Sequence, residues 1–212
     1  GHGTHTMGTM VGADASGANQ IGVAPGARWV AVKAFDDDGD TTDAILHAAF
    51  QWIMAPTDLN GLNPDPAKAP DIVSNSWGDS NSSDQTFWQD VLALRAAGIM
   101  PVFAGGNSGP DEGTVDSPGS YPQSLAVGAT NSSDVIASFS GRGPSPWGEI
   151  KPDVVAPGVN VRSSVPPVID ATMYQGGWNG TSMATPHGAA VTALIWQARP
   201  DLTITATEYV LT

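Results

Sequence analysis

Gly180-Thr181-Ser182-Met183-Ala184-Thr185-Pro186-His187 is the stretch on which the fold of this chain turns. Gly180 permits a crowded or left-handed backbone. Thr181 and Ser182 place hydroxyls at a turn, and from Met183 onward small residues lead into Ala189, Ala190, Val191, Ala193, Leu194, Ile195 and Trp196. That run is apolar nearly all round, which predicts a buried helix. A serine at its start faces the unpaired N–H groups and the positive end of the helix dipole, a setting that favours a developing oxyanion. Pro186 is expected in the first helical turn, where its missing N–H costs nothing. Taken alone, the stretch leaves two readings open: an N-cap serine, which is a common role, and a nucleophile.

Two other segments bear on that choice. Gly1-His2-Gly3-Thr4-His5-Thr6-Met7-Gly8-Thr9-Met10 opens a second helix of mostly small residues with a histidine, and small side chains let neighbouring elements approach closely. An imidazole with an ordinary pKa near ~6.5 is the usual base for activating a serine hydroxyl. A metal pair at His2 and His5 is the competing reading, but the chain has no Cys and no downstream Glu-His partner of the zinc-protease type. Met100-Pro101-Val102-Phe103-Ala104 is a short apolar strand that runs into Gly105-Gly106-Asn107-Ser108-Gly109. Glycines there let backbone approach a ligand, and an asparagine amide is a suitable oxyanion donor. An ordinary Asn-Ser-Gly turn is the alternative.

Taken together, the three segments resemble the subtilisin-like serine proteases (subtilases, the peptidase S8 family). The histidine motif is His2-Gly3-Thr4-His5, the oxyanion motif Ala104-Gly105-Gly106-Asn107, and the nucleophile motif Gly180 to His187. Histidine before serine, with an aspartate first, is the subtilisin order and not that of chymotrypsin or the α/β-hydrolases. Ile21-Gly22-Val23-Ala24-Pro25, Ser74-Asn75-Ser76-Trp77-Gly78, Tyr121-Pro122, Ala126-Val127-Gly128-Ala129 and Val155-Ala156-Pro157-Gly158-Val159 extend the resemblance along the whole chain.

The resemblance implies a serine endopeptidase in which Ser182 attacks, His2 transfers the proton, and Asn107 with the Ser182 N–H holds the oxyanion. It implies that Ser76, Trp77 and Gly78 pair with an extended polypeptide substrate, and that Ala104, Gly105 and Gly106 form one wall of the primary specificity pocket. The Asp36-Asp37-Asp38-Gly39-Asp40 loop then lines further substrate pockets, and Asp116 falls near the far wall of the primary one. Acidic walls favour basic side chains, although for the aspartate run a solvated turn is the favoured reading. The run also lacks an EF-hand pattern. Structural calcium is common in the family, with no ligands assignable here, and no cofactor is needed for the chemistry. A monomer, secretion to the extracellular space and an inhibitory propeptide as partner are further family expectations.

In one respect the chain departs from the family pattern. The family's catalytic aspartate lies on a strand upstream of the histidine motif, and none of Asp14, Asp36, Asp37 or Asp38 matches it. The expectation is one subtilase catalytic domain over residues 1–212, truncated at both ends, with little activity by itself. Loss of such an aspartate costs roughly ten-thousandfold in turnover, a figure measured on proteases of this kind, subtilisin included. A non-catalytic peptide-binding module on the same scaffold is the competing class, and an esterase using the same residues is a third.

Composition is consistent with a globular enzyme core. The 212 residues are 41% hydrophobic and 14% charged, the latter below the usual value of about 25%. A chain this long buries roughly 70% of its unfolded surface as one domain. A net charge of -13 with only 8 Lys and Arg argues against nucleic acid and against anionic membranes. No apolar run approaches the roughly 20 residues of a membrane span.

Apolar runs predict strands at residues 29–35, 71–75, 100–104, 124–129 and 153–155, with helices at 42–54, 86–97 and 202–212. That alternation predicts an α/β fold: a parallel sheet with helices on both faces in three layers. In the 42–54 helix, Ile45, Ala49, Phe50 and Ile53 define the expected buried stripe, with His47 toward solvent. His5 and His187 are expected to be buried structural histidines.

Overall fold

The computed structural model describes all of residues 1–212. Four parallel strands form the central sheet in the order β1 (Ile72–Asn75), β2 (Met100–Ala104), β3 (Leu125–Thr130), β4 (Val154–Pro157). Helix α2 (Asp43–Met54) precedes β1, and α3 (Trp88–Ala96) crosses from β1 to β2. Helices α1 (His2–Val11), α4 (Thr181–Ala198) and α5 (Ile204–Leu211) lie at the two ends of the chain. The sequence does not announce the antiparallel pair β5 (Val161–Ser164) and β6 (Tyr174–Trp178), which forms a separate small sheet.

Strand alternation sorts the core into two layers. In β2, Met100 and Val102 face Leu125, Val127 and Ala129 of β3 and Ala184 and Ala189 of α4. Phe103 points the other way, into Leu46, Phe50 and Ile53 of α2 and Val91 and Leu94 of α3. Every residue of β2 and β3 is buried, as expected for parallel strands covered on both faces. The fold is therefore α/β with helices on both sides of the sheet. Removing a side chain such as Phe50 or Phe103 from water stabilises by ~1.5–3 kcal/mol each. Helix α5 is tied on by Trp196 Nε1, which donates to Thr207 Oγ1 at 2.6 Å, and by an Arg95–Glu208 ion pair.

Local chemistry explains the helix starts. Thr42 caps α2 by accepting from the Ile45 N–H, and Thr203 caps α5 by accepting from the Ala206 N–H. Gly188 of α4 lies so close to β3 that a Cβ there would sit 2.9 Å from Val127 Cγ2. Small residues in α4 thus set the helix-to-sheet distance.

Several expectations need correction. Residues 29–35 do not form a strand: the segment has no backbone–backbone hydrogen bond, and Trp29 is 61% exposed. Apolar character made it resemble a strand, but a strand needs a neighbour to take its N–H and C=O groups, and no strand runs alongside it. Pro186 lies inside α4 and not in its first turn. The buried stripe of α2 is Leu46, Phe50 and Ile53, while Ile45 is exposed. His47 is only half exposed, because its ring packs on Phe87 and Nδ1 lies 2.8 Å from Asp90 Oδ2. The buried residues of helix α4 all fall within 181–192, but Val191 and Leu194 are exposed, since nothing covers that side toward its C-terminus. No helix is long and apolar enough to cross a membrane.

Candidate active site

The strands β1 and β2 end side by side, and the helix start carrying Ser182 lies beyond them. Ser76 follows β1 directly, and Asn107 follows β2 after two glycines. Ligand sites of open parallel sheets lie beyond these carboxyl ends. Gly180, at φ +147°, turns the chain into α4, and its N–H donates to Gly158 O at 2.9 Å. A side chain is strained in that backbone conformation, so glycine here is a requirement of the turn.

Asn107 is oriented by α4. Its Oδ1 accepts from the Thr181 N–H at 2.9 Å and from Thr181 Oγ1 at 3.1 Å. Both donors claim the oxygen, so the amide Nδ2 is the end left to donate. The Ser182 N–H is one of the donors that a helix start leaves without an intrahelical partner.

Ser182 is held by a reciprocal pair of bonds. Its Oγ donates to Ser76 O at 3.1 Å, and Ser76 Oγ donates to Ser182 O at 2.9 Å. Pro186 explains the second bond. In a helix the Ser182 carbonyl would accept from the N–H four residues on, but that residue is Pro186 and has none. The interior proline frees the carbonyl and Ser76 Oγ satisfies it. This partnership is between residues 106 positions apart in sequence, and no local motif signals it.

His2 begins α1, which packs against α4 and β5. The clamp on α1 comes from β5: Ser163 Oγ donates to His5 O at 2.7 Å and Ser164 Oγ donates to Thr4 O at 2.9 Å. Gly8 makes that approach possible, since a Cβ there would meet Ser164 Oγ at 2.2 Å. His2 is exposed and forms no hydrogen bond or ion pair, although its ring lies 6.5 Å from the Trp178 ring. Partial desolvation, followed by the charge of the adjacent chain amino group, lowers its pKa below the ordinary imidazole value. The neutral ring is the form that accepts a proton. In this state Ser182 Oγ bonds to a carbonyl and not to His2, and catalytic hydrogen bonds are often loose before substrate binds.

His5 is fully buried and stacks on Trp178 at 4.5 Å. Burial lowers its pKa to about 4, and His2 and His187 add repulsion. His187 is only half buried, with Nδ1 2.9 Å from Met183 O, and burial lowers its pKa too. Trp178, Ser163 and Ser164 support His2 from β5 and β6, and the sequence reading passed over all three because no motif contains them.

The segments expected to meet substrate lie at the same place. Trp77 sends its ring inward against Phe50, Phe87 and Phe103. Ser76 is half buried and Gly78 exposed, so this segment offers backbone to the outside. Ala104, Gly105 and Gly106 are buried, and their backbone is fixed by Gly105 N–H donating to Val127 O at 3.0 Å and Gly141 N–H donating to Gly106 O at 2.8 Å. The Asp36 loop is self-contained: Asp36 Oδ1 accepts from the Asp38 and Asp40 N–H groups, and Asp37 pairs with Lys33. No three His, Asp or Glu side chains converge in a way that would hold a metal ion. The chain thus supplies no side-chain cluster to assign to the calcium that the resemblance allows.

A parallel sheet covered by helices on both faces, with a serine at the start of a buried helix beyond the carboxyl ends of its strands, places the chain among α/β folds. Comparison with known proteins gives the family. Residues 1–212 match the model described as "Subtilase family" over their whole length, and the chain belongs to that family. It is 51% identical over 217 residues to Bacillopeptidase F of Bacillus subtilis (strain 168), covering 100% of this chain and 15% of that protein. It is 37% identical to Serine protease AprX of the same organism, covering 96% of this chain and 50% of that protein. The chain therefore spans half or less of the length of these two relatives. Among solved structures, Sphericase superimposes with a TM-score of 0.79 at 30% identity, covering 100% of this chain and 68% of that one.

Proposed function

We propose that this chain is the core of a single serine-endopeptidase catalytic domain acting on polypeptides. Ser182 Oγ attacks the substrate carbonyl carbon, and His2 takes the hydroxyl proton. The resulting oxyanion is held by Asn107 Nδ2 and the Ser182 N–H. His2 then gives its proton to the leaving amine as the peptide C–N bond breaks, leaving an acyl ester on Ser182. A water molecule, deprotonated by His2, hydrolyses that ester and returns the hydroxyl. Substrate lies extended along the backbone at Ser76–Gly78 and Ala104–Gly106, as an added strand. Extracellular action as a monomer accords with the family, with an inhibitory propeptide as a partner.

The observation that supports this reading is the double anchoring of Asn107 Oδ1 by Thr181, which leaves the amide Nδ2 as the end free to donate. A second reading, a peptide-binding module of low activity, draws support from His2, which meets no carboxylate within residues 1–212. The imidazolium formed during reaction then lacks its stabilising partner, and turnover by these residues alone falls by roughly ten-thousandfold relative to a complete triad. A small fluorophosphonate probe separates the two. Slow labelling of Ser182, abolished by Ser182→Ala, is expected. No labelling at all rejects the nucleophile, and rapid peptide turnover by residues 1–212 rejects the need for a carboxylate.

A further inference from the structure

His5 is an imidazole sealed inside the protein with nothing nearby to balance a charge. It is fully buried, and both ring nitrogens are out of reach of solvent without a hydrogen bond of normal geometry. One face stacks on Trp178 with ring centres 4.5 Å apart, and the indole is itself held by Nε1 donating to Gln175 Oε1 at 2.8 Å. No carboxylate pairs with the ring. The titratable groups that face it are His2, with the chain amino group beside it, and His187 on α4, all of them cationic when charged. From β5 the Val161 backbone favours the charged ring, but burial outweighs it. Arg162 of β5 is turned away, to Asn19 and to the Tyr174 ring of β6.

The helix that carries His5 has little stability of its own. Its 10 residues include Gly3, Gly8 and three threonines, all poor helix formers. It has no side-chain cap and no acidic residue in its first turn, and an isolated helix this short is marginal in water. Its two halves are held differently. The C-terminal half is tied by backbone: Val23 N–H donates to Thr9 O at 3.1 Å and Ala24 N–H to Met10 O at 2.8 Å. The half with His2 is held to its surroundings by side chains, namely the two serine bonds from β5 and the stack of His5 on Trp178.

We propose that the first turn of α1, residues 2–5, is an acid-released element: when His5 takes up a proton the turn leaves its seat, and His2 leaves Ser182 with it. A charged ring beside two other imidazoles and an indole is stabilised by reaching water. Movement of the turn takes it there while the sheet stays closed. The released turn binds the extra proton, so docking is lost as pH falls. With His5 titrating at about 4 in its seat and at the ordinary 6.5 when released, docking weakens about twentyfold from pH 7 to pH 5 and about a hundredfold by pH 4. The consequence for Ser182 rests on the catalytic reading above, whereas the release itself does not.

Amide hydrogen exchange read by NMR, with each rate referred to its intrinsic value at the same pH, tests the release. Protection of residues 5–8 is expected to fall about tenfold or more from pH 7 to pH 5, with β2 and β3 unchanged. His5→Phe stacks on Trp178 but takes no proton, and its protection should stay constant over that range. Protection that is kept in the unaltered chain, lost together with the sheet, or lost equally in His5→Phe overturns the proposal. Where His5→Phe leaves α1 undocked at pH 7, Ser163→Ala decides: loss of one clamp bond should raise the pH of release, and an unmoved release refutes the mechanism. Fluorophosphonate labelling connects release to the site. The unaltered chain and His5→Phe should label at equal rates at pH 7, with the unaltered chain several-fold slower at pH 5; equal rates at both overturn the connection. If Ser182 is labelled at no pH, the catalytic reading fails, and the exchange data still decide whether α1 is released.

Discussion

Replacing Ser76 by Ala tests the account of the interior proline. The change removes the donor 2.9 Å from Ser182 O, and Pro186 cannot supply another. An acceptor left unsatisfied by losing its partner costs ~1–3 kcal/mol when buried. Ser182 is only half buried, so water compensates in part and the low end, about 1 kcal/mol, is expected. For a chain of this size that lowers Tm by ~2–4 °C. Pro186→Ala restores an N–H that reaches the Ser182 carbonyl within the helix. In that background Ser76→Ala should cost well under ~0.5 kcal/mol, giving a coupling near ~1 kcal/mol in the double-mutant cycle. Thermal unfolding of the four proteins measures it. Fluorophosphonate labelling should follow the same pattern, since the bond fixes Ser182, the proposed nucleophile. Equal costs of Ser76→Ala in both backgrounds would refute the reasoning.

Two other perturbations follow from the site. His5 is buried with its pKa lowered to about 4 from 6.5, so the unfolded chain binds more protons between those values and stability falls as pH drops through that window. The loss reaches about 3 kcal/mol at pH 4, and His5→Phe, which keeps the stack on Trp178, should flatten the Tm-against-pH curve there; an unchanged curve would assign the acid sensitivity to other groups. Thr181→Val removes one of two bonds to Asn107 Oδ1 while keeping side-chain volume. Labelling of Ser182 should slow by about fivefold, or ~1 kcal/mol, with Thr181→Ser close to the parent, and a Val variant that labels at the parent rate would detach Thr181 from the orientation of Asn107.

The strands at 100–104 and 124–129 were legible because a parallel sheet covered on both faces writes itself as short, continuous apolar runs. The same rule failed at residues 29–35, where the composition is equally suited to a strand but no partner strand lies alongside. Pairing is a tertiary fact. In α2 the expected stripe holds at Phe50 and Ile53, but its first member is Leu46 and not Ile45. One position along a helix turns a residue by about 100°, and only the direction of the neighbouring layer selects the face.

At the site, the sequence by itself determined which residues are the candidates for the proposed chemistry: a histidine and a serine at two helix starts and an asparagine after a glycine pair. These functions are carried by residue type and by local backbone, which neighbours in sequence prescribe. Tertiary structure decided how those residues are held. The Ser76–Ser182 exchange, the Thr181 anchor on Asn107, the serine clamp from β5 on α1, and the unpaired His5 against Trp178 all join positions far apart in the chain. A hydrogen bond or a missing partner depends on distance in space, and spacing in sequence encodes that distance only within a helix, a strand or a turn.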